Sequence, residues 1–347
     1  MIKRGLAILL FSFCLGAGSR QAVALDALSI GADAAARGGA YLAGSRSGHY
    51  GFQNYAFLAQ QPAPRLSLTA FDLISEVNYF SAAYSQNNFS LGLLRVQESG
   101  GELRDKAGNL QGGEINYTDS TFYGAYGFAL GRLSLGLRGK LQSKYFSEAE
   151  VSAVGLALDL AGAYQAQPYL LLGAELGNIL ATEMAWSNGL AENYGRSLGL
   201  GALFKVFGAD GYWPDYKQPL HLYADIRALA VDYFWSAGAE YWLCDYIALR
   251  GGLKQARDAR EEQSAKTLQF AAGVGFNFAN FYFDYAYDSG DAVAENITHF
   301  FTISYWWDAP PPPETKTIKG VEGVSKAKKN TKKYKRTFRS TLNSSEQ

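Results

Sequence analysis

Charged side chains at every second position of apolar segments are the residues of this sequence that could do chemistry. In the segment that starts at Leu133, the alternate positions Arg138, Lys140 and Lys144 are basic. Because neighbouring side chains of a β-strand point to opposite faces, this spacing puts the charge on one face. The full set of candidates for an internal charge network is Arg138, Lys140, Lys144, Asp159, Glu175, Asp225, Arg227, Glu240 and Arg250.

The other reactive residue types do not form a catalytic or metal-binding pattern. The sequence has three histidines, which are far apart, and two cysteines. His299 and Ser304 are an odd number of residues apart on one predicted strand, so they face opposite sides and cannot form the nucleophile–base pair of a hydrolase. Scattered histidines also lack the ligand spacing of a metal site. We therefore expect neither an enzyme nor a cofactor.

The elements that position the charges are predicted to be β-strands that cross a membrane. In one run, Leu268, Phe270 and Phe276 share a face, whereas Gln269 and Asn277 take the other. Charged residues make up only 18% of the chain, against about 25% in typical soluble domains. Lipid offers the backbone no hydrogen-bond partners, so a sheet crosses it only as a closed ring. The predicted fold class is all-β, a transmembrane antiparallel up-and-down β-barrel of about 14 strands.

Alternation and turn residues predict where these strands lie. No proline falls inside a predicted strand beyond its first residue, in agreement with the inability of proline to donate to a sheet ladder. The predicted strands are 65–73, 76–86, 89–98, 115–130, 132–146, 152–165, 168–178, 196–206, 219–231, 233–243, 246–256, 266–278, 280–288 and 296–307.

The connections between these strands differ in length, as they do in outer-membrane barrels with short periplasmic turns and longer outside loops. The even strand count predicts that both chain ends are periplasmic. The last strand ends in Tyr305-Trp306-Trp307, which is typical of an aromatic girdle at the membrane surface. The longer connections are predicted at 99–114, 147–151, 179–195, 207–218, 257–265 and 289–295.

The two ends of the chain differ from its acidic body. Residues 1–24 contain Lys3 and Arg4, a short apolar stretch and an Ala-x-Ala site, which predicts a cleaved signal peptide. Residues 309–347 are rich in proline and then in lysine, which predicts a disordered periplasmic tail. This tail either binds peptidoglycan or another acidic periplasmic partner, or is an extension without a partner. The acidic body argues against nucleic acid as a partner.

Several segments resemble the FadL-like and PorV/PorQ-like outer-membrane β-barrel proteins. The segment SIGADAAARGGAYLAGSRSGHYGFQNYAFLA contains Gly38-Gly39-Ala40, and Asn54-Tyr55-Ala56-Phe57 stands where this family has Asn-Pro-Ala-Gly. The runs GAEYWLCDYIALRGGLK and FYFDYAYDSG, the latter followed by ENITHFFTISYWW, are similar to two of its hairpins. The resemblance covers most of residues 28–307. It implies a barrel at 65–308 and an N-terminal plug-like segment at 25–64, in or under the lumen.

The resemblance implies two alternative functions. The first is a FadL-like channel in outer-membrane lipid for the uptake of hydrophobic or amphipathic small molecules, such as long-chain fatty acids. The second is a PorV-like accessory of protein secretion, or a structural barrel, that acts through protein partners. For a channel, the candidate ligand contacts are Phe52, Asn54, Tyr55, Phe57 and Leu58, which packing of the plug would explain equally well.

The internal charges also have two interpretations. They could be a network of buried ion pairs that fills a narrow barrel, or a lining that guides a polar head group or an ion. Both place the side chains inside, because a charge within a membrane span is costly unless it is paired or wet. The spacing predicts that Arg138 neighbours Asp159 and Glu175, and that Glu240 and Arg250 lie almost opposite each other in a hairpin.

Overall fold

The computed structural model describes residues 21–22, 31–44, 49–61, 63–74, 77–104, 107, 109–229, 232–257, 266–290 and 298–307. All of them belong to one compact unit within residues 1–313. The predicted tail, and the predicted signal peptide apart from its residues 21–22, lie outside the described residues.

Strands dominate the described part of the chain, together with one α-helix and one 3-10 helix. None of these helices is long and apolar enough to cross a membrane. The helices are α1, Ala32–Ala36, and the 3-10 helix Tyr55–Gln60. The strands are β1 Gln21–Ala22, β2 Arg65–Ile74, β3 Val77–Gln86, β4 Phe89–Arg104, β5 Leu110–Leu130, β6 Leu133–Phe146, β7 Val151–Gln167, β8 Leu170–Ala181, β9 Met184–Trp186, β10 Ala191–Tyr194, β11 Ser197–Phe207, β12 Leu220–Leu229, β13 Asp232–Cys244, β14 Ile247–Arg257, β15 Lys266–Phe278, β16 Phe281–Asp288 and β17 Thr298–Trp306.

Fourteen of these strands form a closed antiparallel barrel. Strands β2–β8 and β11–β17 each pair with the next, and β8 pairs directly with β11. The ring closes where β17 pairs with β2, with Ser304 opposite Ser67. Closure leaves no sheet edge within the barrel, as a membrane-spanning sheet requires. The predicted fold class is therefore confirmed.

The predicted strand positions are correct to within a few residues, with one larger exception. Strands β4 and β5 continue through much of the predicted loop 99–114, and Gly101 still pairs with Ile115. The glycine pairs in this segment are typical of loops, but the ladder between two antiparallel partners continues past them. The predicted loop 179–195 contains the short antiparallel pair β9 and β10.

The topology corrects the predicted position of one long connection. We name the end of the barrel where β2 begins and β17 ends the proximal end. Counting strands along the chain places the β11–β12 connection, residues 208–219, at this end, together with the short turns at 87–88, 131–132 and 279–280. The prediction grouped it with the longer outside loops, so that assignment was wrong.

The two faces of the barrel differ as the alternation predicts. Along β6, Arg138 and Lys140 are 4% and 3% exposed, whereas Leu137 and Leu141 are 43% and 42% exposed. The apolar face is therefore the outer face, and the polar face surrounds the lumen. On β17 the prediction of an aromatic girdle fails at one residue, because Trp306 is buried and only its neighbours face outward.

The N-terminal segment lies inside the ring of strands. We call residues 31–61 the plug, of which 31–44 and 49–61 are described. Residues 31–44 are all buried. The plug reaches opposite sides of the wall, since the amide of Ala32 donates to Thr302 on β17 and the side chain of Asn54 donates to Gly162 on β7.

Candidate functional site

The plug is attached to the wall by buried charges, of which Arg37 at the end of α1 is the first. Its guanidinium lies 2.9 Å from the carboxylate of Asp33 and 3.3 Å from that of Glu240 on β13. It also lies 4.3 Å from the centre of the Tyr223 ring. None of these three charged side chains is more than 1% exposed. Sequence reasoning missed Arg37, although Asp33 stands four residues before it.

Glu240 links the plug to a second group of charges in the wall. It stands directly opposite Arg250 in the β13–β14 ladder, as the spacing predicted. The Nε of Arg250 donates to Glu240 at 2.8 Å, and its Nη1 donates to Asp284 on β16 at 2.6 Å. Asp284 was not among the predicted network residues. Its inward position in the alternating run FYFDYAYD was the available signal.

Asp225 on β12 binds the backbone of the plug. One of its carboxylate oxygens accepts the amides of Tyr41 and Leu42 at 2.7 and 2.9 Å. Arg227, two residues along the same face, lies 3.1 Å from Asp225 and donates to the carbonyl of Gly39 at 3.2 Å. Hydrogen bonds to an ionised group are stronger than those between neutral groups. The pair therefore holds the plug by its backbone, and the guanidinium of Arg227 also lies 4.1 Å from the centre of the Tyr41 ring.

Arg138 on β6 binds the backbone of the second described part of the plug, residues 49–61. Its guanidinium lies 2.7 Å from Asp159 and 2.9 Å from Glu175, the two neighbours that the sequence predicted. It also donates to the carbonyl of Phe52 at 2.7 Å and lies 4.7 Å from the centre of the Tyr55 ring. One arginine therefore joins three strands to the plug.

The two lysines of β6 complete the network. Lys140 lies 3.1 Å from Asp159 and donates to the side chain of Asn178 at 2.9 Å. Lys144 lies 3.5 Å from Glu192 on β10. Every predicted network residue thus lies on the inner face and has a partner of opposite charge. This arrangement favours the ion-pair interpretation over an open polar pathway.

The five predicted ligand contacts are all buried in the plug. Asn54 caps the 3-10 helix by accepting the amide of Ala56 at 3.0 Å, and it donates to the carbonyl of Leu42 at 2.6 Å. The Phe52 ring packs edge-on against the Tyr123 ring, with 4.2 Å between the ring centres. The exposures of the candidates lie between 0% and 6% for Phe52, Asn54, Tyr55, Phe57 and Leu58. These contacts favour packing of the plug, and ligand contact by these residues stays a prediction.

Glycines of the inner face make room for the plug backbone. A Cβ at Gly252 on β14 would overlap the backbone of Arg37, and a Cβ at Gly173 on β8 would overlap the carbonyl of Leu42. The inward glycines that alternate with apolar residues are therefore contact positions for the plug. The sequence showed their alternation but not what they contact.

His49 connects the plug to the closing seam of the barrel. Its Nε2 lies 3.0 Å from the hydroxyl of Thr69 on β2, which lies 2.7 Å from that of Thr302 on β17. Burial lowers the pKa of His49 to about 4, and the nearby Asp33 only partly offsets this shift. His49 is therefore neutral at physiological pH.

A hollow of about 710 Å³ lies on the outer face of β4–β8. Its centre is formed by Gly124 and Gly139, which stand opposite each other in the β5–β6 ladder. Around them the side chains of Leu91, Leu156 and Leu180 are 51%, 54% and 67% exposed. The hollow is thus an apolar depression where two outward positions lack a side chain.

A β-bulge interrupts the wall beside this hollow. The register of β7 with β8 moves from Leu158 opposite Leu180 to Leu160 opposite Leu176. β8 therefore has extra residues at this point. One of them, Asn178, has a φ of 54°, and its backbone amide donates to the carboxylate of Asp159 at 2.7 Å. Bulges bend a strand and disrupt its ladder locally. The wall is therefore least regular next to the apolar hollow.

Comparisons with solved structures identify the fold. No family model matches the sequence, and none of the curated proteins is similar enough to be a relative. Among solved structures, the CymD monoaromatic hydrocarbon channel is similar with a TM-score of 0.59 and 13% identity, over 82% of this chain and all of that one. A mutant of the TodX monoaromatic hydrocarbon channel has a TM-score of 0.54 and 13% identity, over 82% of this chain and 100% of that one. The toluene transporter TbuX from Ralstonia pickettii is similar with a TM-score of 0.53 and 14% identity, over 80% of this chain and 98% of that one.

The chain has the barrel fold of these channels. The resemblance seen in the sequence is therefore confirmed for the FadL-like barrel. The similar structures are channels rather than enzymes by their descriptions. In the part of the chain that is described, no group of three or more His, Cys, Asp or Glu side chains could hold a metal ion. A PorV-like role in secretion stays a prediction.

Proposed function

We propose that this protein is an outer-membrane channel for the uptake of hydrophobic or amphipathic small molecules. The observation that carries the proposal is a closed barrel of FadL-like fold whose lumen holds its own N-terminal segment. The similar structures are described as channels for monoaromatic hydrocarbons and toluene. Long-chain fatty acids are a second substrate class within the same proposal, because they are also apolar along most of their length.

The apolar hollow is the proposed place of exchange between barrel and lipid. The plug residues that are described fill the centre of the barrel, so a straight axial path for an apolar molecule is occupied. The hollow offers a surface of leucine side chains at mid-wall, next to the irregular β8. An apolar molecule would move there without entering water, which the hydrophobic effect favours.

An uptake assay with a matched pair of variants tests the proposal. A Cβ at Gly139 would have no atom within 4 Å, so Gly139→Phe can place an aromatic ring in the hollow. Gly251→Phe is the control, because Gly251 has similar free space on β14, far from the hollow. We expect cells with Gly139→Phe to take up labelled toluene or labelled oleate several-fold more slowly than cells with Gly251→Phe. Uptake equal to that of cells without the protein, for both probes and for the unaltered protein, would contradict the channel.

The proposal includes export and orientation. Residues 1–24 would direct the chain to the outer membrane, both chain ends would be periplasmic, and the basic tail within 309–347 would bind peptidoglycan or another acidic polymer. Sedimentation of the full chain with isolated peptidoglycan tests the tail. We expect binding at low salt that is lost at high salt and after deletion of residues 314–347. Binding that survives the deletion would contradict this role of the tail.

A further inference from the structure

The connection 208–219, which we call the rim loop, is unusual for its end of the barrel. The other proximal connections are tight turns such as 87–88, 131–132 and 245–246. The rim loop has the sequence GADGYWPDYKQP, with aromatic residues at positions 212, 213 and 216.

The rim loop has a fixed shape because it folds back on the end of β11. The amides of Tyr212 and Trp213 donate to the carbonyls of Lys205 and Val206, each at 2.9 Å. The amide of Gly208 donates to the carbonyl of Tyr216 at 3.1 Å. These bonds hold the three aromatic residues beside the barrel rim rather than beyond it.

The aromatic rings of the rim loop pack against rings of the barrel in edge-on and tilted contacts. Tyr212 lies 5.9 Å from Phe204 and 5.2 Å from Tyr169, measured between ring centres. Tyr216 lies 4.5 Å from Phe207, and Trp213 lies 6.0 Å from the same ring. Phe204 stands opposite Leu222, which is 44% exposed on the outer face. The rim loop therefore extends the lipid-facing surface.

Despite this packing, the rim loop leaves much aromatic surface uncovered. Tyr212, Trp213 and Tyr216 are 51%, 50% and 59% exposed. Rings with an apolar body and a polar tip are favoured where one side is apolar and the other wet. The proximal rim carries further exposed outward rings of this kind at Tyr126, Tyr164, Tyr246 and Trp307. The rim loop is continuous with this ring of aromatic side chains.

We propose that the rim loop is a membrane-interface anchor, and that Tyr212, Trp213 and Tyr216 insert into the boundary between lipid head groups and acyl chains. The charged residues of the loop are Asp210, Asp215 and Lys217, a small net negative charge. Attraction to anionic lipid therefore cannot drive insertion. The driving force must come from burial of the aromatic rings in the membrane interface. The partner is the lipid leaflet itself, whatever the charge of its head groups.

Fluorescence quenching of the full barrel in vesicles tests this proposal. The chain has six tryptophans, so the contribution of Trp213 is the difference between the unaltered protein and Trp213→Phe. In zwitterionic vesicles with lipids brominated near the head group, we expect Trp213 emission to be quenched more than twofold, and less by bromine near the chain ends. The same quenching is expected with a third of the lipid anionic. Trp235→Phe gives the reference for a lipid-facing tryptophan on a strand.

Two results would overturn the anchor. One is a Trp213 emission that is quenched by aqueous acrylamide but not by any brominated lipid, because the loop would then lie in water. The other is a photo-crosslinker at position 213 that forms adducts with a protein rather than with phospholipid in whole cells. The anchor does not depend on transport, so either result leaves the proposed channel untouched.

Discussion

The guanidinium of Arg37 in the plug lies 3.3 Å from the carboxylate of Glu240 in the wall, and neither side chain is exposed to solvent. The two residues are separated by 203 positions in sequence. Glu240 also accepts a hydrogen bond from Arg250, so the plug and the wall share one buried network of charges. Removing one partner of such a network leaves an uncompensated buried charge, which costs far more than the loss of a surface pair.

Replacement of Glu240 by glutamine should therefore loosen the plug and destabilise the barrel. Glu240→Gln leaves Arg37 and Arg250 with one carboxylate fewer between them. We expect a loss of about 3 kcal/mol in the free energy of unfolding, the lower part of the range for breaking a buried pair. Thermal or urea unfolding of the detergent-solubilised barrel measures this loss.

The control for this change is Asp210→Asn. Asp210 lies 3.5 Å from Lys205, and its side chain is 72% exposed. An exposed pair of this kind contributes little, so we expect a change of less than about 0.5 kcal/mol. Equal effects of Glu240→Gln and Asp210→Asn would show that the buried network does not hold the plug.

A second prediction concerns the glycine contacts of the plug. Gly252→Ala places a Cβ where the backbone of Arg37 lies, so the plug must shift away from β14. The next residue is a matched control, because a Cβ at Gly251 has no atom closer than 4.0 Å. In planar bilayers, Gly252→Ala should open to a conducting state at least ten times more often than the unaltered protein, and Gly251→Ala should not. Identical conductance of both variants would argue against a plug seated on this glycine.

The third prediction is a pH dependence of plug docking that depends on His49. In the docked plug the pKa of His49 is about 4, whereas a solvated histidine has a pKa near 6.5. The undocked state therefore binds a proton first as the pH falls. Docking is fully stable above pH 6.5 and weakens between pH 6.5 and 4, by about 3 kcal/mol in total.

Channel recordings over this pH range measure the effect. Openings should become more frequent as the pH falls below 6.5, and His49→Gln should remove most of this increase. His299→Gln is the control, because His299 is exposed and contacts Tyr285 rather than the plug. If His49→Gln keeps the full pH response, another group controls docking.

The alternation of side chains predicts the barrel well because each strand must satisfy lipid on one face and the lumen on the other. That rule locates β6, β15 and the pair of Glu240 and Arg250 directly. It fails for the end of β4, where Gly101 stays paired with Ile115 beyond a register shift although a glycine pair is typical of loops. Local pattern also misassigns Trp306, whose ring covers the guanidinium of Arg65 instead of facing lipid.

The plug contacts lie beyond what periodicity can show. The charges of the wall are recognisable by their spacing, but several of their partners in the plug are backbone groups, such as the amides of Tyr41 and Leu42 that bind Asp225. Backbone groups are the same in every residue, so the sequence carries no mark of them. Arg37 was recognisable only as a single basic residue in an alanine-rich run.

The most direct test of the proposed transport is transfer of an apolar probe across a bilayer that contains the purified protein. Proteoliposomes that enclose an acceptor for labelled oleate or toluene should fill faster than empty liposomes. The rate should saturate with probe concentration, and Gly139→Phe should lower it several-fold relative to Gly251→Phe. A rate equal to that of empty liposomes, with the barrel folded and inserted, would contradict transport by this barrel.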